Sequence, residues 1–199
     1  MRTLVFDTET TGKANFKETA THPSQPYFVQ IAALMYEDRD LVHSVNVIAC
    51  PTNNNGDVMD IEPEAASVHG ISIERAKSVG LPYSLVIPMF NQLLRRADVL
   101  VAHNLQFDAM IMAAAYYRHG YAADQLQRPR RICTMKSTEN VLKIPGRYGK
   151  YKWPSLDEAY KALVDPEGFD GAHDALADTT ACAKVYWACI DAGHIQPSS

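Results

Sequence analysis

Val99-Leu100-Val101-Ala102-His103-Asn104-Leu105-Gln106-Phe107-Asp108 reads as a strand that runs into polar residues and then turns into a helix. Val99 to Ala102 is short, continuous and β-rich, the pattern of a strand buried on both faces of a parallel sheet. Phe107 to His119 reads as a helix, and Gly120 is a suitable residue to stop it. His103 and Asn104 then fall at the carboxyl end of the strand, the edge where α/β sheets hold their ligands.

Outward from this unit, the N-terminal part is strand-rich. Arg2 to Asp7 reads as a buried strand broken by Gly12, and Lys13 to Pro26 as a polar loop too irregular for an element. Phe28 to Tyr36 and the alternating Leu41 to Ala49 flank the polar turn Glu37-Asp38-Arg39-Asp40, which suggests a hairpin. Pro51 to Gly56 is rich in turn residues. Pro63 to His69 reads as a helix ended by Gly70, and Pro82 to Arg96 as a longer one.

Beyond the opening unit, Ile132 to Thr134 is expected to form a last short strand. Ser155-Leu156-Asp157-Glu158 has the form of a capping box and should open a helix. Ala175 to Ala192 is the final helix, with Leu176, Thr180, Ala183, Trp187 and Ile190 along one stripe. Three strands followed by alternating helices and strands predict an α/β layer fold with a mixed sheet. The 199 residues are expected to form one domain.

No apolar run is long enough to span a membrane. A strand-like segment begins at Thr3, so no signal peptide is expected. Cys50, Cys133, Cys182 and Cys189 form no Cys-x-x-Cys pair, which argues against a zinc site; a reducing cytoplasm is the simpler expectation. Cys182 and Cys189 lie seven apart on one helix face and suit buried thiols. The net charge of -4 hides an asymmetry: residues 128–153 hold eight Lys/Arg and one acidic residue, a net of +7, which leaves -11 elsewhere. An acidic protein with one basic arm fits a nucleic-acid enzyme with an acidic metal site.

Three clusters carry the chemistry. In Phe6-Asp7-Thr8-Glu9-Thr10, Asp7 and Glu9 are two apart on a strand, so both side chains share one face. By itself that pair reads as helix caps or salt bridges, but the Thr10-Thr11-Gly12 that follows allows close backbone approach to a ligand. Asp108 falls in the first turn of its helix, where a lone carboxylate would only compensate the dipole. Phe107 beside it suits either the core or stacking on a base. In His173-Asp174-Ala175-Leu176-Ala177-Asp178, the helix supports Asp178 while His173 lies in the preceding loop, and a neutral imidazole there could take a proton from water. Asp174 competes with Asp178 as a ligand, and spacing alone does not separate them. Carboxylates beside a core are costly unless paired or bound to a cation. A pair of hard divalent cations would resolve their repulsion and create a phosphoryl-transfer site.

Taken together, Asp7-x-Glu9, His103-Asn104-x-x-Phe107-Asp108 and His173-x-x-x-x-Asp178 resemble the DEDDh family of 3′-5′ exonucleases, in the family's order and across nearly the whole chain. Val68-His69-Gly70-Ile71 is similar to the family's usual Ile-His-Gly-Ile. Within the family the likeness is to the proofreading exonuclease subunit of bacterial replicative polymerases and its stand-alone phage and prophage relatives. The chain departs from the pattern at Lys13, where members often carry Leu. It also has no counterpart of the subunit's C-terminal docking tail, so stable polymerase association is not expected. The oligomeric state is left open.

The resemblance implies a ribonuclease-H-like fold, a five-stranded mixed sheet flanked by helices. It assigns the ligand role to Asp178 rather than Asp174. It implies two divalent cations, Mg²⁺ or Mn²⁺, with Asp7, Glu9 and Asp178 on one, Asp7 shared with the second, and Asp108 reaching the second through water. His173 is then the general base. Nucleoside 5′-monophosphates would be released from the 3′ end of nucleic acid, single-stranded DNA being favoured and RNA the alternative. A non-catalytic nucleic-acid-binding module is the third possibility. Thr10, Thr11, His103, Asn104 and Phe107 are candidates for holding the terminal nucleotide. In Arg147-Tyr148-Gly149-Lys150-Tyr151-Lys152-Trp153, positive charges alternate with aromatics, a composition suited to phosphate contact and stacking. Arg147, Lys150 and Lys152 are therefore expected to guide substrate on a loop that orders on binding.

Overall fold

The structure, a computed structural model, describes residues 1–196; the last three residues of the expected 1–199 domain lie outside the described residues. One five-stranded sheet runs in the order β3-β2-β1-β4-β5. Its strands are β1 (Arg2–Thr10), β2 (Phe28–Glu37), β3 (Asp40–Ile48), β4 (Val99–Ala102) and β5 (Arg130–Cys133). The first three form an antiparallel meander, while β4 lies parallel to both β1 and β5. This is the mixed sheet of a ribonuclease-H-like fold.

Among the described residues the α-helices are α1 (Pro63–His69), α2 (Ile73–Val79), α3 (Tyr83–Leu94), α4 (Leu105–Arg118), α5 (Thr134–Leu142), α6 (Leu156–Leu163) and α7 (Ala175–Asp191). β1 divides the core by alternation. Leu4 and Phe6 join the cluster under α3 and α4, with Ile87, Phe90 and Met112. Val5 points the other way, into the cluster of α6 and α7 with Tyr160, Val185 and Tyr186. Asp7 and Glu9 continue the Val5 side and Thr8 the Phe6 side. The chain thus delivers two carboxylates toward α7 and one threonine toward α4.

Several expectations shift. Thr134 is not in the last strand, because β5 ends at Cys133 and Thr134 opens α5. α2 was not foreseen; it is capped by Ser72, whose hydroxyl accepts from Arg75 N–H. α4 begins two residues earlier than Phe107, since Asn104 takes the left-handed conformation (φ 66°) and starts the helix directly. Of the expected stripe on α7 only Ala183 is fully buried; the face turned to the core centres on Ala175, Thr179, Cys182, Tyr186 and Cys189. Small residues let the helix approach the sheet closely, and Trp187 is displaced to its flank, against Tyr36. The expected capping box at Ser155 and Glu158 is present in full. α1 ends as expected at Gly70, whose φ of 71° suits glycine and whose N–H reaches Ala66 O.

Candidate active site

Asp7, Glu9 and Asp178 converge where β1 meets the first turns of α7, with one carboxylate oxygen of each within 4.8 Å of the others. At this end of β1 the pairing with β2 slips between Glu9 and Thr10, a bulge of the kind that re-aims side chains beside sites. Asp178 Oδ2 accepts from the backbone N–H of His173 at 3.2 Å. Its Oδ1 is buried and has no hydrogen-bond partner among the described residues. A buried acceptor left unpaired is destabilising unless a ligand satisfies it.

Electrostatics sharpens the point. Burial first, and then the neighbouring Asp108, Glu9 and Asp178, push the Asp7 carboxyl well above the usual range. Burial beside Asp178 and Asp108 raises Glu9 to about 8. Burial also raises Asp178, against the opposing pull of the His173 backbone. No cationic side chain neutralises this group through an ion pair among the described residues. Oxygen donors with this charge and an unpaired buried oxygen fit a hard divalent cation.

Asp108 stands apart from the three. It is buried, and its Oδ1 accepts from both the N–H (3.1 Å) and the hydroxyl (2.8 Å) of Thr8. Burial lifts it to about 7, with the Thr8 bonds working against the rise. It approaches from the α4 side, opposite to the α7 side that supplies Asp178.

The structure also separates Asp174 from Asp178. Asp174 caps α7: its Oδ1 accepts from Leu176 and Ala177 N–H, and its Oδ2 from Gln30 Nε2 at 2.9 Å. Both oxygens are engaged, whereas Asp178 joins the cluster. His173 is exposed, in the left-handed region (φ 69°), and its ring forms no hydrogen bond among the described residues. His173 thus meets the cluster through its backbone N–H, and its ring is left exposed.

Beside Glu9 opens a cavity of about 310 Å³ between β1, α1 and α4, walled by Thr8, Thr10, Val68, His69 and Phe107. Lys13, Glu62 and Glu64 also line it. Of the residues expected at a terminal nucleotide, Phe107 and Thr10 line this space. Thr10 turns its hydroxyl to Gly12 O at 2.7 Å. Thr11 is buried, and its hydroxyl accepts from Tyr27 N–H, so it braces the loop from behind. Asn104 initiates α4 through backbone geometry.

His103 is the clearest departure. Its Nε2 meets Pro154 O at 3.1 Å and its Nδ1 meets Thr134 Oγ1 at 2.9 Å. The carbonyl can only accept, so Nε2 carries the proton. Burial lowers the ring to about 4, which keeps it neutral. Neither ring nitrogen is available to a nucleotide, and the residue fastens the end of β4 to the base of the arm.

The arm carries a local closure of its own. Gly146 N–H bonds to Lys150 O and Lys152 N–H to Ile144 O, at 2.8 and 3.0 Å, around an antiparallel bridge of Pro145 with Tyr151. Lys152 pairs with Glu158 at 2.6 Å, so its charge is partly spent within the protein. Arg147 and Lys150 form no ion pair among the described residues.

Two contributors escaped sequence reasoning. Thr8 orients Asp108, and Gln30 holds the cap of α7. Gln30 left a signal, a lone amide inside the apolar run of β2. Thr8 left none, since a threonine between two carboxylates is unremarkable in a strand.

The sequence profile of the family described as Exonuclease matches residues 4–186. No curated protein matches. Among solved structures, E. coli exonuclease I in complex with a dT13 oligonucleotide is similar at a TM-score of 0.75 and 18% identity, over 96% of this chain and 41% of that one. A zinc-bound form of the E. coli exonuclease I–ssDNA complex gives 0.75 and 19%, over 96% and 40%. Exonuclease I from the moderately thermophilic Methylocaldum szegediense gives 0.74 and 19%, with the same coverage. The chain thus spans about two fifths of the length of these proteins. Among the described residues no helix is long and apolar enough to cross a membrane.

Proposed function

The chain belongs to the exonuclease family, and from that premise we propose that residues 1–199 act as one metal-dependent 3′-5′ exonuclease domain. It would release nucleoside 5′-monophosphates, with single-stranded DNA as the preferred substrate. The observation that carries the reading is the convergence of Asp7, Glu9 and Asp178, whose buried Oδ1 on Asp178 has no partner among the described residues, with His173 joined to Asp178 through its backbone N–H. The dT13 and single-stranded DNA complexes of exonuclease I support the single-stranded substrate, and the 3′-5′ direction rests on the resemblance of the motifs to the DEDDh family.

Asp7, Glu9 and Asp178 would hold a divalent cation, Mg²⁺ or Mn²⁺, with Asp7 shared by a second ion and Asp108 serving that ion through water. Bound there, such ions supply Lewis-acid activation of water and neutralise charge on the phosphate being cleaved. His173 takes the proton of the attacking water, because its ring is otherwise unengaged. Thr8 holds Asp108 in place through two hydrogen bonds. Phe107 offers its ring to the terminal base in the cavity beside Glu9. Arg147 and Lys150 meet phosphates of the strand leading to the site.

The test is hydrolysis of 5′-labelled single-stranded DNA, duplex DNA and RNA of one sequence, with Mg²⁺ or Mn²⁺. The expected outcome is a ladder of products shortened from the 3′ end, fastest on single-stranded DNA and abolished by chelator. Faster shortening of RNA would reassign the substrate. Binding without hydrolysis of any of the three would overturn the enzymatic reading.

A further inference from the structure

α1 forms one wall of the cavity beside Glu9, yet none of its residues is buried. It is not held by core packing. Instead, hydrogen bonds at its two ends attach it to the chain leaving β1. Glu62, just before the helix, donates its N–H to Thr11 O at 2.8 Å. His69, the last helical residue, reaches Thr10 O through Nε2 at 3.1 Å. The Nδ1 of the same ring accepts from Ile71 N–H, also at 3.1 Å.

These partners fix the imidazole completely. A carbonyl can only accept and an amide N–H can only donate, so the proton sits on Nε2 and the lone pair on Nδ1. Ile71 is in turn anchored in a small core with Val29 and Ala76. The ring therefore joins three things: the end of α1, a buried anchor, and the backbone one residue beyond Glu9.

We propose that His69 is a positioning residue that latches α1 to β1 and so sets the width of the cavity that receives the 3′-terminal nucleotide. The proposal rests on the exonuclease reading above and adds to it the residue that controls fit at the end of the substrate. Ala65 and Val68 of α1 face the same space as Phe107. Release of the latch lets that wall drift from the opposite one and loosens the grip on the terminal nucleotide. That grip exists before and during cleavage alike, so its loss appears in KM rather than kcat.

Two near-isosteric substitutions separate the latch from the local fold. In His69→Asn, the short amide can still accept from Ile71 N–H but cannot reach Thr10 O. In His69→Gln, the amide nitrogen reaches toward Thr10 O and the bond with Ile71 is given up. On a short single-stranded oligonucleotide, His69→Asn and His69→Ala are expected to raise KM roughly three- to tenfold, the effect of removing one hydrogen bond. kcat should stay within about twofold. His69→Gln should remain near the wild-type KM, and the unfolding midpoint of His69→Asn near the wild-type value. Equilibrium binding of the same oligonucleotide without metal should rank the variants in the same order. An unchanged KM in His69→Asn would overturn the latch, as would parallel loss of kcat and thermal stability in both amide variants. A wild type that binds but hydrolyses nothing would instead sink the exonuclease reading, while the binding order still judges the latch.

Discussion

The carboxylates at the end of β1 and the basic residues of the arm carry opposite charge, but they differ more in how their surroundings treat that charge. Asp7, Glu9 and Asp178 sit on a central strand and a long helix, are partly buried, and push one another's pKa upward. Nothing among the described residues neutralises them. In the arm, Lys152 has found Glu158, the Trp153 indole N–H bonds to Glu139 at 3.1 Å, and Lys136 lies over the Trp153 ring. The rigid region is electrostatically unfinished, and in the exposed region part of the charge, that of Lys152, is already satisfied within the protein. Chemistry requiring an absent ion belongs to the first, while the second can at most add affinity.

The sharpest way to break that contrast is Asp7→Asn. If the cluster exists to hold ions, removing the carboxylate proposed to be shared should abolish metal-dependent hydrolysis while the fold persists. Turnover near the wild-type level in the variant would mean that the cluster is only a set of frustrated acids.

His173→Ala tests the same end of the molecule less severely. Loss of a general base slows catalysis by roughly two to four orders of magnitude. Metal binding should survive, because the ring touches no carboxylate and only its backbone N–H meets Asp178. Turnover unchanged in the variant would assign the proton transfer elsewhere.

The two regions also differed in how far the sequence disclosed them. Asp-x-Glu on a strand and His-x-x-x-x-Asp at a helix start are spacings that local geometry converts directly into convergence, so the cluster was legible from the spacings themselves. Asp174 and Asp178 could not be told apart by spacing, since the decision lies with Gln30, 144 residues away. His103 misled for a related reason. A histidine at a strand's carboxyl end is well placed for a ligand, but its partners Thr134 and Pro154 are brought there only by tertiary packing. The arm's composition was plain, while its hairpin closure and the Lys152–Glu158 pair were not, because the capping box had already accounted for Glu158.

The unfinished charge of the cluster makes a thermodynamic prediction. Glu9 and Asp7 have folded-state pKa values above their unfolded ones, so the folded protein without metal retains protons that the unfolded chain releases. For such groups the favourable contribution is complete below the unfolded pKa, near 4.5 for Glu9, and is lost as pH rises toward about 8. Metal-free protein should therefore become less stable across that window, by a few kcal/mol. Saturating Mg²⁺ or Mn²⁺ should flatten the decline, and Glu9→Gln should reduce it without metal. Thermal melts at stepped pH, with and without the ion, measure this directly. A metal-free midpoint that rises between those pH values would contradict the electrostatic account of the site.

The smallest effect is expected from the arm, and its internal pairing says how to divide it. Arg147 and Lys150 have no ionic partner among the described residues, whereas Lys152 is bound to Glu158 at 2.6 Å. Tyr148, almost fully exposed at 97%, projects from the same turn in the left-handed conformation, available to stack on a base. Arg147→Ala combined with Lys150→Ala should therefore weaken binding of single-stranded oligonucleotide and flatten its salt dependence, by roughly 0.7 in the log–log slope for each phosphate no longer neutralised. Lys152→Ala alone should leave the slope nearly unchanged and slightly lower thermal stability, because it removes an ion pair at the start of α6. Turnover of saturating short substrate should hardly respond to either change, since the carboxylates and His173 stay in place. Equal salt slopes for the double variant and wild type would show that the arm's charge serves solubility. A slope change on losing Lys152 as large as that from the other two would show that nucleic acid competes successfully with Glu158, and that the arm is less finished than its pairing in the free protein suggests.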